Sequence, residues 1–116
     1  MRKSAKLRVS QQSGDEMDQE QAIIIARALK EKAQPEFKPE AVYLYGSYAK
    51  GTPQQESDID IAFIYDQYHG SFLKDMARLI RISHEIDIRI EPVIVDRDSE
   101  ITGFLSEIRN TGVLII

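Results

Sequence analysis

Two aspartates open an apolar run in the middle of the chain. Asp58 and Asp60 are two residues apart, and the run continues to Tyr65. Alternate side chains of a β-strand point to the same face, so a strand here would place both carboxylates side by side. Carboxylates this close repel each other unless a cation compensates, and Mg²⁺ prefers oxygen ligands and leaves room for phosphates. The pattern predicts a site for a pair of divalent ions that serve displacement at phosphorus. The structural alternative is a solvated strand edge.

A Gly-Ser pair lies upstream of these aspartates. Gly46 and Ser47 follow directly on another apolar run, and glycine permits a tight turn with close backbone approach. If residues 47–50 begin a short helical turn, their free N–H groups can hold a phosphate, and Lys50 can add a positive charge. Ser57, just before the aspartates, is a further candidate for nucleotide binding. A Gly-Ser pair alone is most often a plain turn, but the combination predicts a site for a nucleoside triphosphate with Mg²⁺.

The spacing of the apolar residues predicts the elements that position these groups. The order is helix, strand, turn, strand, helix, strand, helix, which predicts a small α/β or α+β sheet with helices packed against it. We expect strands at 41–46, 58–65 and 85–95, a first helix capped by Asp15 that ends near Ala33 because Pro35 follows, a second helix capped by Ser71, and a last helix that ends at Gly112. The apolar tail, residues 113–116, is expected to pack back onto the sheet.

Helical spacing also predicts which side chains face the core. The expected apolar faces are Ala22, Ile25, Ala26 and Leu29 on the first helix, Phe72, Leu73, Met76, Ala77 and Ile80 on the second, and Ile101, Phe104, Leu105 and Ile108 on the last. Tyr43 and Tyr45 are expected to pack, whereas Tyr48 either packs or stacks on a nucleobase.

Length and composition indicate one globular domain. The chain has 116 residues, of which 42% are apolar, and we expect a single domain over 15–116 after a flexible N-terminal arm, residues 1–14. The chain has no cysteine, which excludes disulfides and thiolate zinc sites and fits a reducing cytoplasm. No apolar run approaches the roughly 18 residues of a membrane span.

The net charge of −4 disfavours general binding to nucleic acid. Basic residues do cluster in the arm, either as a solvated terminus or as a contact to a partner; they are Arg2, Lys3, Lys6 and Arg8.

The stretch GSYAKGTPQQESDIDIAFIYD, Gly46 to Asp66, resembles the signature of the nucleotidyltransferase superfamily related to the DNA polymerase β palm. It is most similar to the minimal nucleotidyltransferase (MNT) group, and the resemblance covers most of the chain. The resemblance implies that Gly46 and Ser47 bind nucleotide phosphate and that Asp58 and Asp60 hold Mg²⁺. The ten-residue spacer between Ser47 and Asp58 matches MNT antitoxins that are paired with HEPN-type RNase toxins. The resemblance implies that these antitoxins transfer AMP from ATP to a tyrosine of the toxin.

The resemblance also implies a third carboxylate from a neighbouring strand, which acts as a base or as a metal ligand. Asp87, Arg89 and Glu91 would share one face of the third predicted strand. Glu91 is favoured because it lies deeper in the apolar strand, although the family usually has aspartate there. The alternative for Asp87 is a residue of the turn between helix and strand. Arg89 would pair with either carboxylate or contact phosphate, and if neither carboxylate reaches the metals, binding alone remains.

The expected function is therefore transfer of AMP from MgATP to a hydroxyl on a partner protein, with a HEPN toxin as the partner. The chain has no second domain to hold an antibiotic, a tRNA or a primer, so we expect a partner to complete the cleft; an oligomer is a further possibility. Two alternatives stay open. One is a nucleotidyltransferase with a small-molecule acceptor such as an aminoglycoside, and the other is an antitoxin that neutralises its partner by binding, without catalysis.

Overall fold

The computed structural model describes residues 18–53 and 57–116. The predicted arm, residues 1–14, and the predicted cap Asp15 lie outside the described residues. The elements in chain order are α1 (Gln19–Phe37), β1 (Ala41–Tyr45), α2 (Gly46–Lys50), β2 (Ile59–Tyr65), α3 (Phe72–Ile86), β3 (Ile90–Asp96), α4 (Phe104–Thr111) and β4 (Val113–Leu114).

The strands form one mixed sheet in the order β3, β2, β1, β4. β1 pairs antiparallel with both β2 and β4, and β2 pairs parallel with β3. The connection between the two parallel strands runs through α3, since parallel neighbours need a crossover. The mixed sheet with flanking helices confirms the predicted fold class, and β4 with the buried Ile115 confirms that the C-terminal tail packs onto the sheet.

The two faces of the sheet carry separate apolar clusters because side chains alternate along each strand. One face packs against α1 and α3, and its central residues include Leu44, Ile61, Phe63 and Leu79. The other face packs against α4 through Ala62, Ile64, Val95, Leu105 and Ile108. The second face is covered by a helix of only eight residues, so polar groups at the end of that face can remain accessible.

The first helix is longer than the sequence predicts. A capping box of Asp18 and Gln21 begins it, and it continues through Pro35 to Phe37. The predicted end near Ala33 was wrong, because a proline in the last turn removes one hydrogen bond while Phe37 gains a buried, edge-on contact with Phe63. The Tyr65 hydroxyl also donates to the Phe37 carbonyl at 2.6 Å.

The second predicted helix and the strand after it differ most from expectation. Leu79, Ile82 and Ser83 are the buried residues of α3, whereas Phe72 and Leu73 are 49% and 80% exposed. The helix also continues to Ile86, so the strand predicted over 85–95 begins only at Ile90. Apolar residues at the spacing of Leu79, Ile82 and Ile86 fit a helix face, and packing against the sheet selects that structure over the local alternation.

The last helix begins later than its predicted apolar face. Ile101 is 90% exposed, and α4 starts at Phe104. The Glu100 carboxylate accepts hydrogen bonds from the N–H groups of Phe104 and Leu105, which fixes that start. The helix ends at Gly112, as predicted. Within residues 18–53 and 57–116, no helix has the length and apolar character that crossing a membrane requires.

Candidate functional site

The Gly46 turn lies directly against the carboxylate of Asp60. Gly46 has a φ of +76°, a conformation that favours glycine, and it begins α2 immediately after β1. A Cβ built on Gly46 would collide with Oδ2 of Asp60. Glycine is therefore required here both for the backbone conformation and for the close approach of the two elements.

Strand register brings a second carboxylate to the same place. Asp60 of β2 is paired with Tyr45 of β1 on one side and with Glu91 of β3 on the other. These three residues have the same position in the pleat, so their side chains share one face of the sheet. Asp58 precedes Asp60 by two residues, and both side chains are half-buried, whereas Glu91 is exposed. The fold thus gathers Asp58, Asp60 and Glu91 at the turn that Gly46 makes.

Burial and like charge both disfavour the ionised form of Asp60. Burial, followed by the charges of Asp58 and Glu91, raises the pKa of Asp60 from 3.8 to about 6. Burial also raises the pKa of the Tyr45 phenol to about 12, with smaller contributions from Asp60 and Glu91. A divalent cation between the carboxylates would relieve this repulsion.

Tyr45 lies beside the site, although the sequence predicted only that this residue packs. Its ring contacts the ring of Phe104 edge-on, with centroids 5.5 Å apart. The two rings form an aromatic wall beside Asp60. Its position directly before Gly46 could have indicated that Tyr45 lies near the site. Its contact with α4, however, follows only from the tertiary structure.

Helix α2 is anchored at its carbonyl end. The Gln19 side-chain amide donates to the carbonyls of Tyr48 and Ala49 at 3.1 and 2.9 Å. Gly51, with a φ of +77°, ends the helix, and its N–H bonds back to Ser47 and Tyr48. This confirms the expected helical turn after Gly46 and its release at Gly51. Tyr48 is buried, so it packs rather than presenting its ring to a nucleobase.

Lys50 ends the helical turn, and Ser57 directly precedes the aspartates. Lys50 is exposed and its Nζ lies 3.6 Å from Oε2 of Glu107 on α4. It would have to leave Glu107 to reach a phosphate at the Gly46 turn. Ser57 is half-buried directly before Asp58.

Asp87 is held in the turn between α3 and β3. It is the C-cap of α3, and its carboxylate accepts from the backbone N–H of Arg89 at 2.9 Å. The Arg89 guanidinium donates two further hydrogen bonds to it, at 2.9 and 2.8 Å. The prediction that Asp87 and Arg89 lie on one strand face with Glu91 was wrong, because β3 begins at Ile90. Of the two candidates for the third carboxylate, Glu91 is the register partner of Asp60.

The donor set fits Mg²⁺ bound together with a nucleotide. Among the described residues, no group of three histidine, cysteine, aspartate or glutamate side chains forms a complete metal-binding cluster. Mg²⁺ is usually held by one or two carboxylates together with substrate phosphates. Asp58 and Asp60 supply such carboxylates, and after burial the charges of Asp58 and Glu91 contribute to the raised pKa of Asp60.

Comparison with known proteins assigns the family. Residues 27–116 match the model of the polymerase β nucleotidyltransferase family, and the chain belongs to that family. It is therefore a nucleotidyltransferase, which confirms the resemblance stated above. A curated relative, named "putative protein adenylyltransferase", comes from Methanocaldococcus jannaschii. It is 35% identical over 80 residues, which cover 66% of this chain and 78% of the relative.

Solved structures show the same fold. A crystal structure from Sulfolobus solfataricus, named "putative nucleotidyltransferase", aligns with a TM-score of 0.61 and 23% identity, over 83% of this chain and 80% of that one. A toxin–antitoxin structure with AMP-PNP aligns with a TM-score of 0.58 and 24% identity, over 78% and 72%. A mutant of the MntA–HpeT toxin–antitoxin pair aligns with a TM-score of 0.54 and 26% identity, over 77% and 67%.

Proposed function

We propose that this protein transfers AMP from MgATP to a hydroxyl on a partner protein, and that it is the antitoxin of a HEPN/MNT toxin–antitoxin pair in the cytoplasm. The observation that carries the proposal is the contact between the Gly46 turn and Asp60, which is in register with Glu91. The N–H groups of the turn suit the phosphates of a metal–triphosphate complex, and the carboxylates beside them suit its metal ion.

In this proposal the turn binds the nucleotide phosphates. The N–H groups at Gly46 and Ser47 and the Ser47 hydroxyl donate to phosphate oxygens, and the absence of a side chain at Gly46 lets the Asp60 carboxylate lie directly against this turn. Ser57, directly before Asp58, donates a further hydrogen bond to the nucleotide. Lys50 adds a positive charge when its side chain leaves Glu107.

The carboxylates bind the metal and accept the proton of the acceptor hydroxyl. Asp58 and Asp60 would hold Mg²⁺, with Glu91 as a third ligand or as the base. When bound, the ions would neutralise charge on the triphosphate and on the departing pyrophosphate. The acceptor oxygen forms a bond to the α-phosphorus, the bond from that phosphorus to the bridging oxygen breaks, and pyrophosphate leaves. Glu91 is exposed, so it can take the proton from a hydroxyl that arrives from outside the domain.

Two comparisons support the donor and the acceptor. The name of the Methanocaldococcus relative is that of a protein adenylyltransferase, which supports an adenine nucleotide as donor and a protein as acceptor. The toxin–antitoxin structures, one of them with AMP-PNP, support a toxin as partner and ATP as substrate.

The test is label transfer to the product of the adjacent gene. The protein and Mg²⁺ are incubated with that product and with ATP labelled either at the α-phosphate or at the γ-phosphate. The proposal predicts label on the partner from α-labelled ATP alone, and no label with the Asp60→Asn variant. Label from γ-labelled ATP would indicate a kinase instead. Transfer of the α-label to a small molecule, with the partner unlabelled, would contradict a protein acceptor.

A further inference from the structure

The outer edge of β3 borders an apolar groove that the proposed reaction does not use. We call it the β3-edge groove; it has a volume of about 350 Å³. Its walls include Phe72, Val93, Ile94, Asp96, Glu100 and Phe104. Its volume lies at the lower end of the range for ligand pockets. Phe72 begins α3 and Phe104 begins α4, so one phenylalanine stands on each side of the strand.

The backbone of β3 is available along this groove. β3 is the terminal strand of the sheet formed by the described residues. The N–H of Arg97 bonds to Tyr65 on β2, and the Arg89 carbonyl accepts from Ile59. In a parallel pair the N–H and C=O of alternate residues point to the same neighbour. The odd-numbered positions therefore face β2, and the N–H and C=O groups of Ile94 point outward into the groove.

The groove is continuous with the candidate site. Glu91 and Val93 lie on the same face of β3, and Val93 lines the groove. Two residues of a strand advance roughly 6.6 Å, so a group bound at Val93 is one side chain away from Glu91. On the same face, Phe104 contacts the groove as well as the Tyr45 ring beside Asp60.

The charge at the groove has one sign. The charged residues that line it are Asp96 and Glu100, both acidic. Hydrogen bonds from Thr102 and from the backbone at Phe104 and Leu105 lower the pKa of Glu100 to about 2, so this carboxylate stays ionised. Glu91, near the start of β3, adds a third acidic side chain. The negative charge along the groove therefore complements a positively charged ligand.

We propose that the β3-edge groove binds an extended segment of the acceptor protein, which carries bulky apolar side chains and a neighbouring lysine or arginine. The segment pairs with the outward backbone groups of Ile94, its alternating apolar side chains pack against Phe104 on one face of β3 and against Phe72 on the other, and its basic side chain meets Asp96 or Glu100. An acceptor hydroxyl two residues along the segment then reaches Glu91. This inference rests on the proposed function, because it assumes a protein acceptor.

The test uses two synthetic peptides, Ac-Lys-Leu-Val-Tyr-Val-NH₂ and Ac-Glu-Leu-Val-Tyr-Val-NH₂, which share the leucine and the tyrosine two residues after it and differ in the charge of the first residue. Each is titrated into the isotope-labelled full chain, and amide chemical shifts are followed. The basic peptide is expected to shift the Ile94 and Asp96 amides and to bind at least about tenfold more tightly than the acidic one. Phe72→Ala is expected to weaken binding about tenfold. Leu73→Ala is the matched control, since Leu73 is also exposed in the first turn of α3 but does not line the groove.

Three results would overturn the proposal: binding of neither peptide, shifts confined to other surfaces, or equal losses in Phe72→Ala and Leu73→Ala. A parallel titration with MgATP, read at the amides of residues 46–50, separates this failure from failure of the proposed function. Normal MgATP shifts without peptide binding refute only the groove. Peptide binding at Ile94 without any response to MgATP refutes nucleotidyl transfer and keeps the groove as a peptide site.

Discussion

The carboxylate of Asp60 occupies the space that a side chain at Gly46 would need. Asp60 is the second residue of β2 and Gly46 directly follows the last residue of β1, so the antiparallel pairing of β1 with β2 brings the turn and the carboxylate together. A phosphate held by the turn and a cation held by Asp60 would therefore be in contact. This relationship makes the two motifs, separate in sequence, parts of one site.

Replacing Gly46 should cost more stability than replacing a glycine of the same backbone conformation. Gly46 and Gly51 have φ values of +76° and +77°, but a Cβ on Gly51 meets nothing within 4 Å. Both alanine variants carry the strain of a positive φ, about 1 kcal/mol. Gly46→Ala must also displace Asp60, so we expect a total loss of roughly 2–3 kcal/mol. Urea unfolding of both variants measures the difference; equal losses would show that Asp60 does not press on the turn.

Asp60→Asn should stabilise the metal-free protein at neutral pH. The folded-state pKa of Asp60 is about 6, above its usual 3.8, so folding disfavours the ionised form. The penalty is fully present above about pH 6 and disappears as the pH falls to about 4. For this half-exposed group we expect about 1 kcal/mol after solvent screening. Thermal unfolding of wild type and variant across this pH range measures it.

The difference between wild type and Asp60→Asn isolates this carboxylate from other titrating groups. The variant should unfold at a higher temperature at pH 7.5, and the two should converge near pH 4. Added Mg²⁺ should raise the unfolding temperature of the wild type more than that of the variant. A variant that is less stable at every pH would show that ionised Asp60 is a structural group.

Glu91 and Asp87 should separate catalysis from stability. Glu91→Gln removes the carboxylate beside Asp60, and we expect a loss of at least about a hundredfold in transfer with little change in folding. Asp87→Asn weakens the hydrogen bonds to Arg89, so we expect a loss of about 1 kcal/mol in unfolding free energy with transfer largely retained. Initial rates and thermal unfolding of both variants decide this; the reverse pattern would assign the third carboxylate to Asp87.

Ser83→Ala should stabilise the fold. Ser83 is fully buried on α3, and among the described residues its hydroxyl finds no hydrogen-bond partner. Removing an unsatisfied buried hydroxyl and raising helix propensity should together gain about 1 kcal/mol. Chemical unfolding measures the change. Ser83→Cys, which keeps similar bulk with a weaker donor, is the control, and a destabilised alanine variant would mean that the hydroxyl is needed.

The local motif could be predicted from the sequence because its parts are close in the chain. The Gly46 turn and the i, i+2 spacing of Asp58 and Asp60 depend on backbone geometry over a few residues. Glu91 was one of two candidates, since only the register of β2 with β3 shows which carboxylate faces Asp60. The contact of Tyr45 with Phe104 needs the docking of α4, which no local pattern describes.

The largest error concerns residues 85–89, where glutamate, isoleucine, aspartate, isoleucine and arginine alternate as in a strand. Ile82 and Ile86 also fit a helix face, and burial of Ile82 under the sheet favours the helix. The same packing leaves Phe72 partly exposed at the start of α3, although helical spacing alone placed it in the core. That exposed phenylalanine is one wall of the β3-edge groove.

The measurement that tests the site most directly is calorimetric titration of ATP into the full chain, with and without Mg²⁺. The account predicts that wild type and Gly51→Ala bind ATP in the presence of Mg²⁺, and that Gly46→Ala and Asp60→Asn bind at least about tenfold more weakly. Binding by Gly46→Ala that is as tight as binding by Gly51→Ala, or ATP binding that does not respond to Mg²⁺, would contradict a shared site of turn and carboxylates.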